Sequence, residues 1–425
     1  MKVLVVGRGG REHAISKKLA ESPSVTKVYC APGNAGIEQN AELVQLDEMD
    51  FAGLAQFVEQ NGIDLTVVGP ENPLQAGIVD FFQERGLTVY GPNKAAAELE
   101  GSKSFAKMMM EKYNIPTARY ATFDNYEEAK AYIQEQGAPI VLKADGLAAG
   151  KGVTVAMTME EALTSLEEMM LDKKFGEASA KVVVEEFLQG EEYSLMAFVN
   201  GENVYPMEAA QDHKRAFDND EGPNTGGMGA YSPIPHISDQ VIQQSVEEIL
   251  LPIAKGMVKE GRPFTGVIFA GLMLTEEGPK TIEFNARFGD PETQVVLPRL
   301  ESDLARVFLD VLDGKNPQLQ WKDEAVLGVV LAAKGYPESY QKGNPIRGLE
   351  KVDSSAVLHA GTFRNDEGVI CANGGRVLLV AGKATTIEEA QKQAYAQIQS
   401  IETENFFYRK DIGNRAIARA GSLSV

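Results

Sequence analysis

Residues 281–292 read TIEFNARFGDPE, and the reading of the central part of the chain turns on this stretch. It begins as a strand and ends in a turn at Gly289-Asp290-Pro291. Side chains alternate across a strand, so Glu283, Asn285 and Arg287 share one face and Ile282, Phe284 and Ala286 the other. With the apolar set on a core, a carboxylate, an amide oxygen and a guanidinium stand in a row. Carboxylate plus carboxamide is the oxygen ligation that magnesium uses, together with waters and a nucleotide phosphate. An arginine one step along can hold a phosphoryl group in transit. The plainer alternative is an edge strand with a solvated polar face, and the stretch alone leaves both open.

Outward from it, a strand is expected at Gly266–Leu274, a helix at Asp239–Lys259 before it and another at Asp303–Leu312 after it. Residues 208–231 read as one long loop dense in charge and glycine. Loops of this length inside compact domains tend to be functional or disordered. Asp212, His213, Lys214 and Arg215 make an improbable linker; His213 suits either a general base or a hydrogen-bonding, positioning role. Lys315–Trp321 is a turn-rich connector, and residues 325–425 read as a mixed α/β unit without a catalytic cluster.

The chain has 425 residues, too many for one core, and 44% of them are hydrophobic, as in an ordinary globular protein. A net charge of −20 argues against a nucleic-acid surface, which needs basic patches. The two cysteines, Cys30 and Cys371, lack metal-type spacing and fit buried thiols in a reducing compartment. No signal-peptide pattern or membrane-length apolar run is seen, so a cytoplasmic protein without membrane contact is expected. No long heptad or exposed apolar helix stands out, and a monomer is expected.

Residues 1–92 alternate short apolar strands with amphipathic helices, at Lys2–Val6, Glu12–Ala20, Val25–Cys30, Phe51–Gln60, Leu65–Val68, Leu74–Glu84 and Thr88–Tyr90. This alternation predicts a doubly wound parallel sheet with ligands beyond the carboxyl ends of its strands. Gly7-Arg8-Gly9-Gly10-Arg11 follows the first strand, Pro32-Gly33-Asn34 the second, and Gly69-Pro70-Glu71-Asn72 a later one. A dinucleotide fingerprint fails twice here: Glu12 stands where its last glycine belongs, and no acid ends the second strand. Backbone NH groups at the helix start, with Arg11, suit a smaller phosphate. A glycine turn that merely closes the junction is the alternative.

Residues 93–117 look helical. The strand Pro139–Ala144 then delivers Lys143 into Asp145–Val153, a glycine-rich loop bearing Lys151. It is not a P-loop, because three residues separate Gly146 from Gly150 and Gly152 follows Lys151. A hairpin over phosphates, resuming at Val153–Met157, fits better. Thr158–Leu171 opens with a capping box. Lys181–Leu188 runs from a strand into Gln189-Gly190-Glu191-Glu192; taken without context, Glu185 and Glu186 are ordinary surface charges.

GRGGREHA, APGNAG, VVGPENPL, KADGLAAGKGV, EEFLQGEE, QDHKR, PNTGGMGAYSP and EFNARFGDPE occur in this order along the whole chain. Together they resemble the glycinamide ribonucleotide synthetase family of the ATP-grasp superfamily. The resemblance implies an α/β protein with an N-terminal doubly wound domain (1–101), a two-lobed ATP-grasp domain (102–315, lid lobe about 118–190) and a C-terminal mixed α/β domain (325–425). It implies ligation of glycine to 5-phosphoribosylamine with ATP as co-substrate and Mg²⁺ or Mn²⁺, in purine biosynthesis. Another carboxylate–amine ligase of the superfamily is the nearest alternative. By the same resemblance Lys103, Lys143, Gly150, Lys151 and Gly152 would meet the ATP phosphates. Glu185, Glu186, Phe187 and Leu188 would form the adenine hinge, and Glu192 would hold the ribose. Glu283 and Asn285 match the metal ligands. Gly9, Gly10, Arg11, Gly33, Asn34 and Glu71 would receive the ribosylamine; Asp212, Lys214, Arg287 and Asp290 would surround glycine and the acyl phosphate. Many superfamily members carry a further metal-binding acid on the preceding strand, but Gly266–Met273 has none.

Overall fold

The computed structural model describes residues 1–147 and 152–422. Its N-terminal sheet contains β1 (Lys2–Gly7), β2 (Lys27–Pro32), β3 (Glu42–Leu43), β4 (Leu65–Val68) and β5 (Val89–Tyr90), all parallel in the order β3-β2-β1-β4-β5. Helices cover both faces, which is why Val3–Val6 is fully buried and reads as a continuous apolar run. The strand order reverses between β1 and β4, and the crevice above that reversal is where a doubly wound sheet holds ligands. Helix α1 (Gly10–Ala20) starts there, followed by α2 (Phe51–Asn61).

Two expected helices are each a pair. Leu74–Glu84 resolves into α3 (Glu71–Gln75) and α4 (Ile78–Gln83), broken at Gly77 with φ +93°. Residues 93–117 resolve into α5 (Lys94–Gly101) and α6 (Lys103–Lys112), which meet at Ser102. Ser102 is extended and caps α6 by accepting the Phe105 NH. The apolar period runs through both breaks, so periodicity alone conceals them.

A four-stranded antiparallel sheet follows, made of β6 (Tyr120–Phe123), β7 (Ile140–Ala144), β8 (Val153–Ala156) and β9 (Val182–Glu186) in the order β6-β9-β7-β8. The hairpin expected around Lys143 is present, with Lys143 opposite Val153. Gly150 and Lys151, in the connecting loop, lie outside the described residues. The helix Met159–Met170 packs beneath, opened by the expected Thr158–Glu161 capping box.

The strands β10 (Glu191–Asn200) and β11 (Asn203–Pro206) begin a second four-stranded sheet. The long loop expected at 208–231 is instead a chain of short strands: β12 (Gln211–Asp212), β13 (Arg215–Phe217), β14 (Glu221–Asn224) and β15 (Gly229–Ser232). A helix from Asp239 to Lys259 follows, with a π-type turn at Val246–Leu250 just before Pro252, which has no NH to donate. Then β16 (Thr265–Thr275) and β17 (Gly278–Asn285) complete the second sheet in the order β11-β10-β16-β17.

The last sheet unites distant segments. Its strands are β12, β15, β18 (Ala325–Ala333), β22 (Arg376–Ala384) and β19 (Val357–His359), with β23 (Phe406–Phe407) also paired to β18; the hairpin of β20 (Thr362–Arg364) and β21 (Ile370–Ala372) is separate. The connector Lys315–Trp321 thus divides in sequence what one sheet joins in space. Among the described residues no helix is long and apolar enough to cross a membrane.

Candidate active site

The row on β17 is not the simple alternation its sequence suggests. Thr281 pairs with Leu272 and Glu283 with Gly271, so Ile282 is a bulge. The extra residue shifts the parity. Thr281, Phe284 and Ala286 are buried, whereas Ile282 is only half-buried beside Glu283. Glu283, Asn285 and Arg287 still line one site. Burial favours a neutral Glu283, but Lys214, Lys143, Lys103 and Arg287 outweigh it and hold the carboxyl below its usual range. The Asn285 amide N–H donates to Glu100 Oε1 at 3.1 Å, and its amide oxygen has no hydrogen-bond partner among the described residues. Arg287 Nη2 pairs with Glu100 at 2.9 Å, and its Nε, 3.5 Å from Glu71 Oε2, is buried without a hydrogen-bond partner among the described residues. No group of three or more His, Cys, Asp or Glu able to hold a metal occurs among the described residues. An ionised carboxylate and an amide oxygen are hard oxygen donors, so Glu283 and Asn285 fit a hard cation whose remaining ligands are phosphate and water oxygens.

Three lysines stand beside this row, one from the lid sheet and two from α6. Lys143, at the end of β7, donates to the Ile282 carbonyl at 2.9 Å and pairs with Glu185 Oε1 at 2.9 Å. Glu185 also holds Lys107 at 3.1 Å, and burial lowers that lysine to about 8 although Glu185 opposes the shift. Glu185 is 4% exposed, so its reading as a surface charge is overturned. Two lysines that could meet only across the fold had drawn it inward. Glu186 does face solvent, tied to Arg119 at 2.9 Å. Phe187 and Leu188 leave the ladder after it, ahead of Glu192 on β10. Lys103, at the start of α6, donates to the Gly146 carbonyl at 2.8 Å, and burial lowers its pKa. Asp145 accepts from Ser104 N at 3.1 Å and Ser104 Oγ at 2.5 Å, so the base of the glycine loop is fastened to the α6 N-terminus. Gly152 is buried at the start of β8.

In the β1–β4 crevice the Glu12 side chain fills the space beside Gly7 and Gly69. A Cβ on Gly69 would lie 2.0 Å from Glu12 Oε1, and one on Gly7 2.5 Å from Glu12 Cγ. The first NH groups of α1 are engaged within the protein, Gly9 N donating to Glu12 at 2.6 Å and Arg11 N to Asp290 at 3.2 Å. The Arg11 side chain turns inward to Glu12 Oε1 at 2.5 Å and the Phe288 carbonyl at 3.2 Å. Gly10 packs against Gln294 and Gly33 against Leu43. Asn34 is corrected more firmly. Its Nδ2 donates to the Arg8, His359 and Ala360 carbonyls and its Oδ1 accepts from Gly36 and Ile37 N. That side chain is a brace between units, with no capacity left for a ligand. Glu71 stays half-open; burial raises its pKa, but Arg287 and Arg11 bring it below the usual value.

Lys214 Nζ sits 2.6 Å from Asp212 Oδ2. Burial works against its charge, yet Asp212, Glu292 and Glu283 raise its pKa. His213 points the other way, receiving Gly413 N at 3.4 Å; burial and Arg409 lower it to about 4, which keeps it neutral. Several residues of the site carry no local signal in the sequence. Arg376 reaches the Gly226 carbonyl at 3.0 Å and the Asp290 carbonyl at 2.9 Å, and Glu100 touches Asn285 and Arg287. Glu292, 1% exposed, is raised to about 7 by burial and Asp212. Only Glu292 lay within the quoted stretch.

A lid sheet and a central sheet closing lysines, an acidic hinge and a Glu–Asn–Arg row around one cleft define an ATP-grasp protein. Similar solved structures include the biotin carboxylase domain of the Hydrogenobacter thermophilus 2-oxoglutarate carboxylase, with a TM-score of 0.69 at 16% identity over 96% of this chain and 91% of that one, a likeness of fold. A Thermotoga maritima phosphoribosylamine–glycine ligase matches far better, with a TM-score of 0.85 at 34% identity over 97% of this chain and all of that one. Ligases of the same name from Halalkalibacterium halodurans and Listeria innocua are each 59% identical over 98% of this chain, covering 98% and 100% of theirs. The phosphoribosylglycinamide synthetase family models match in sequence: the N domain at 1–100, the ATP-grasp (A) domain at 101–293 and the C domain at 326–415. The chain belongs to the phosphoribosylglycinamide synthetase family.

Proposed function

We propose that the protein joins glycine to 5-phosphoribosylamine at the expense of ATP, giving 5-phosphoribosylglycinamide, ADP and phosphate in purine biosynthesis. The observation that carries this reading is the convergence of Lys103, Lys143, Lys214 and Arg287 on Glu283, inside a chain related end to end to ligases of that name. A carboxylate does not react with an amine unaided. Glycine's carboxylate attacks the γ-phosphorus of ATP, forming glycyl phosphate and expelling ADP. The amine nitrogen of phosphoribosylamine then attacks the acyl carbon, phosphate departs, and the amine proton passes to solvent.

No protein nucleophile is needed, because positioning and charge neutralisation carry phosphoryl transfer. We assign Lys103 and Lys143 to the phosphates, Glu185–Leu188 to the adenine edge and Glu192 to the ribose. Arg287, whose buried Nε has no hydrogen-bond partner among the described residues, is assigned to the phosphoryl group in transit, and Asp212 and Lys214 to glycine. The amine substrate is assigned to the crevice bordered by Gly9, Gly10, Arg11, Gly33, Glu71 and Asp290. A divalent cation such as Mg²⁺ held by Glu283 and Asn285 would supply charge for the polyphosphate.

The test measures ADP release against a panel of amino acids, with and without phosphoribosylamine. ADP formation that requires both glycine and the amine is expected. Equal turnover with another acid–amine pair overturns the assignment in favour of a sister ligase.

A further inference from the structure

Glu100 belongs to none of the substrate-facing groups above. It lies in the last turn of α5 at the seam between the N-terminal and central units, 7% exposed. Its carboxylate nevertheless accepts two hydrogen bonds from the metal row, Asn285 Nδ2 to Oε1 at 3.1 Å and Ala286 N to Oε2 at 2.8 Å, and forms an ion pair with Arg287 Nη2 at 2.9 Å on Oε1. A carboxamide has one oxygen and one nitrogen, so a partner that accepts from the nitrogen turns the oxygen the opposite way. A guanidinium fixed at one Nη keeps its remaining edge in a set direction. One acidic side chain thus orients a candidate metal ligand, a candidate phosphoryl clamp and the backbone between them.

We propose that Glu100 is the positioning residue of this site, setting the Asn285 amide oxygen toward the cation and the Arg287 guanidinium toward the transferring group. The inference rests on the ligase reading for the identity of the reaction, although its geometry does not need it. A carboxylate that merely filled the seam would owe nothing to the orientation of an amide 185 positions away in sequence.

The experiment compares the wild type with Glu100→Gln, Asn285→Asp and the double variant. Mn²⁺ binding in the presence of ADP is read by electron paramagnetic resonance, beside glycine-dependent ADP release and circular dichroism. Glu100→Gln removes the charge that pairs with Arg287 and leaves one acceptor oxygen where there were two, so the Asn285 amide and the Ala286 NH compete for it and the amide loses its fixed orientation. Mn²⁺ affinity is expected to fall by about tenfold or more, with kcat. Asn285→Asp alone sets two carboxylates against each other at hydrogen-bond distance and is expected to be as poor or worse. In the double variant the amide introduced on α5 can donate to the carboxylate introduced on β17, and affinity should return to within about threefold of wild type. Should Glu100→Gln not fold, Asn285→Asp against the double variant carries the same comparison. Wild-type affinity in Glu100→Gln, or a double variant no better than Asn285→Asp alone, overturns the proposal. If the rescue holds while the wild type shows no glycine-dependent ADP release, Glu100 keeps its role and the ligase reading falls.

Discussion

Lys143 has a fixed place before any nucleotide arrives, because the Ile282 carbonyl and Glu185 hold its ammonium from two sides. Such preorganisation avoids reorganisation as charge develops on the transferring phosphoryl group. Lys143→Met should lower kcat about 100- to 1,000-fold, equivalent to about 3 kcal/mol. The fold should survive, since Glu185 keeps Lys107, and circular dichroism would check that. Glu283→Gln is expected to cut metal-dependent turnover by orders of magnitude in a protein of unchanged secondary structure. An unaltered Mg²⁺ dependence of ADP release would contradict its assignment as a ligand. Glu283 and Lys143 were legible because motif and spacing announce them. Glu100 and Arg376 were not, because each gains its meaning from partners that only the tertiary fold brings near.

At the scale of elements, pattern predicted the strands and helices well and their interruptions poorly. The N-terminal βα alternation and the β7–β8 hairpin follow from periodicity and turn residues. The breaks at Gly77 and Ser102 are silent because the apolar face continues on either side. The Ile282 bulge is silent too, since a bulge depends on the partner strand's register. The turn at Asn34 illustrates how a ligand-like motif can be structural. Asn34→Ala removes hydrogen bonds that join the turn after β2 to the end of β19, and should cost about 2–4 kcal/mol. Urea denaturation would show it as a lower midpoint. The KM for the amine substrate should stay near the wild-type value, whereas a large rise would return Asn34 to the binding site.

Across the whole molecule, three buried histidines make stability depend on pH. His13 and His359 meet at the seam between the first and last sheets, where His359 N donates to His13 Nδ1 at 2.8 Å. Burial lowers them to about 3 and about 4, and His213 to about 4. An unfolded histidine protonates near 6.5. Below that pH the unfolded chain binds more protons than the folded one, so stability is full above about 6.5. It is lost as pH falls toward the folded values, and below them this contribution to the slope ends. The urea midpoint should therefore drop between pH 7 and pH 5. His13→Asn, which retains an acceptor near the Nδ1 position, should flatten that dependence.

The sheet that borrows β12 and β15 for β18 also sets an order of events in synthesis. The strands flanking Asp212 and Lys214 leave the ribosome about a hundred residues before the strand that completes their pairing. Contacts so distant in sequence form late, after the costly closure of a long loop. In a chain that ends before β18 the loop proposed to hold glycine lacks the strand that supports it. Such a chain would carry the groups proposed for ATP without the support of those proposed for glycine, so coupling of ADP release to glycine is the property that comes last.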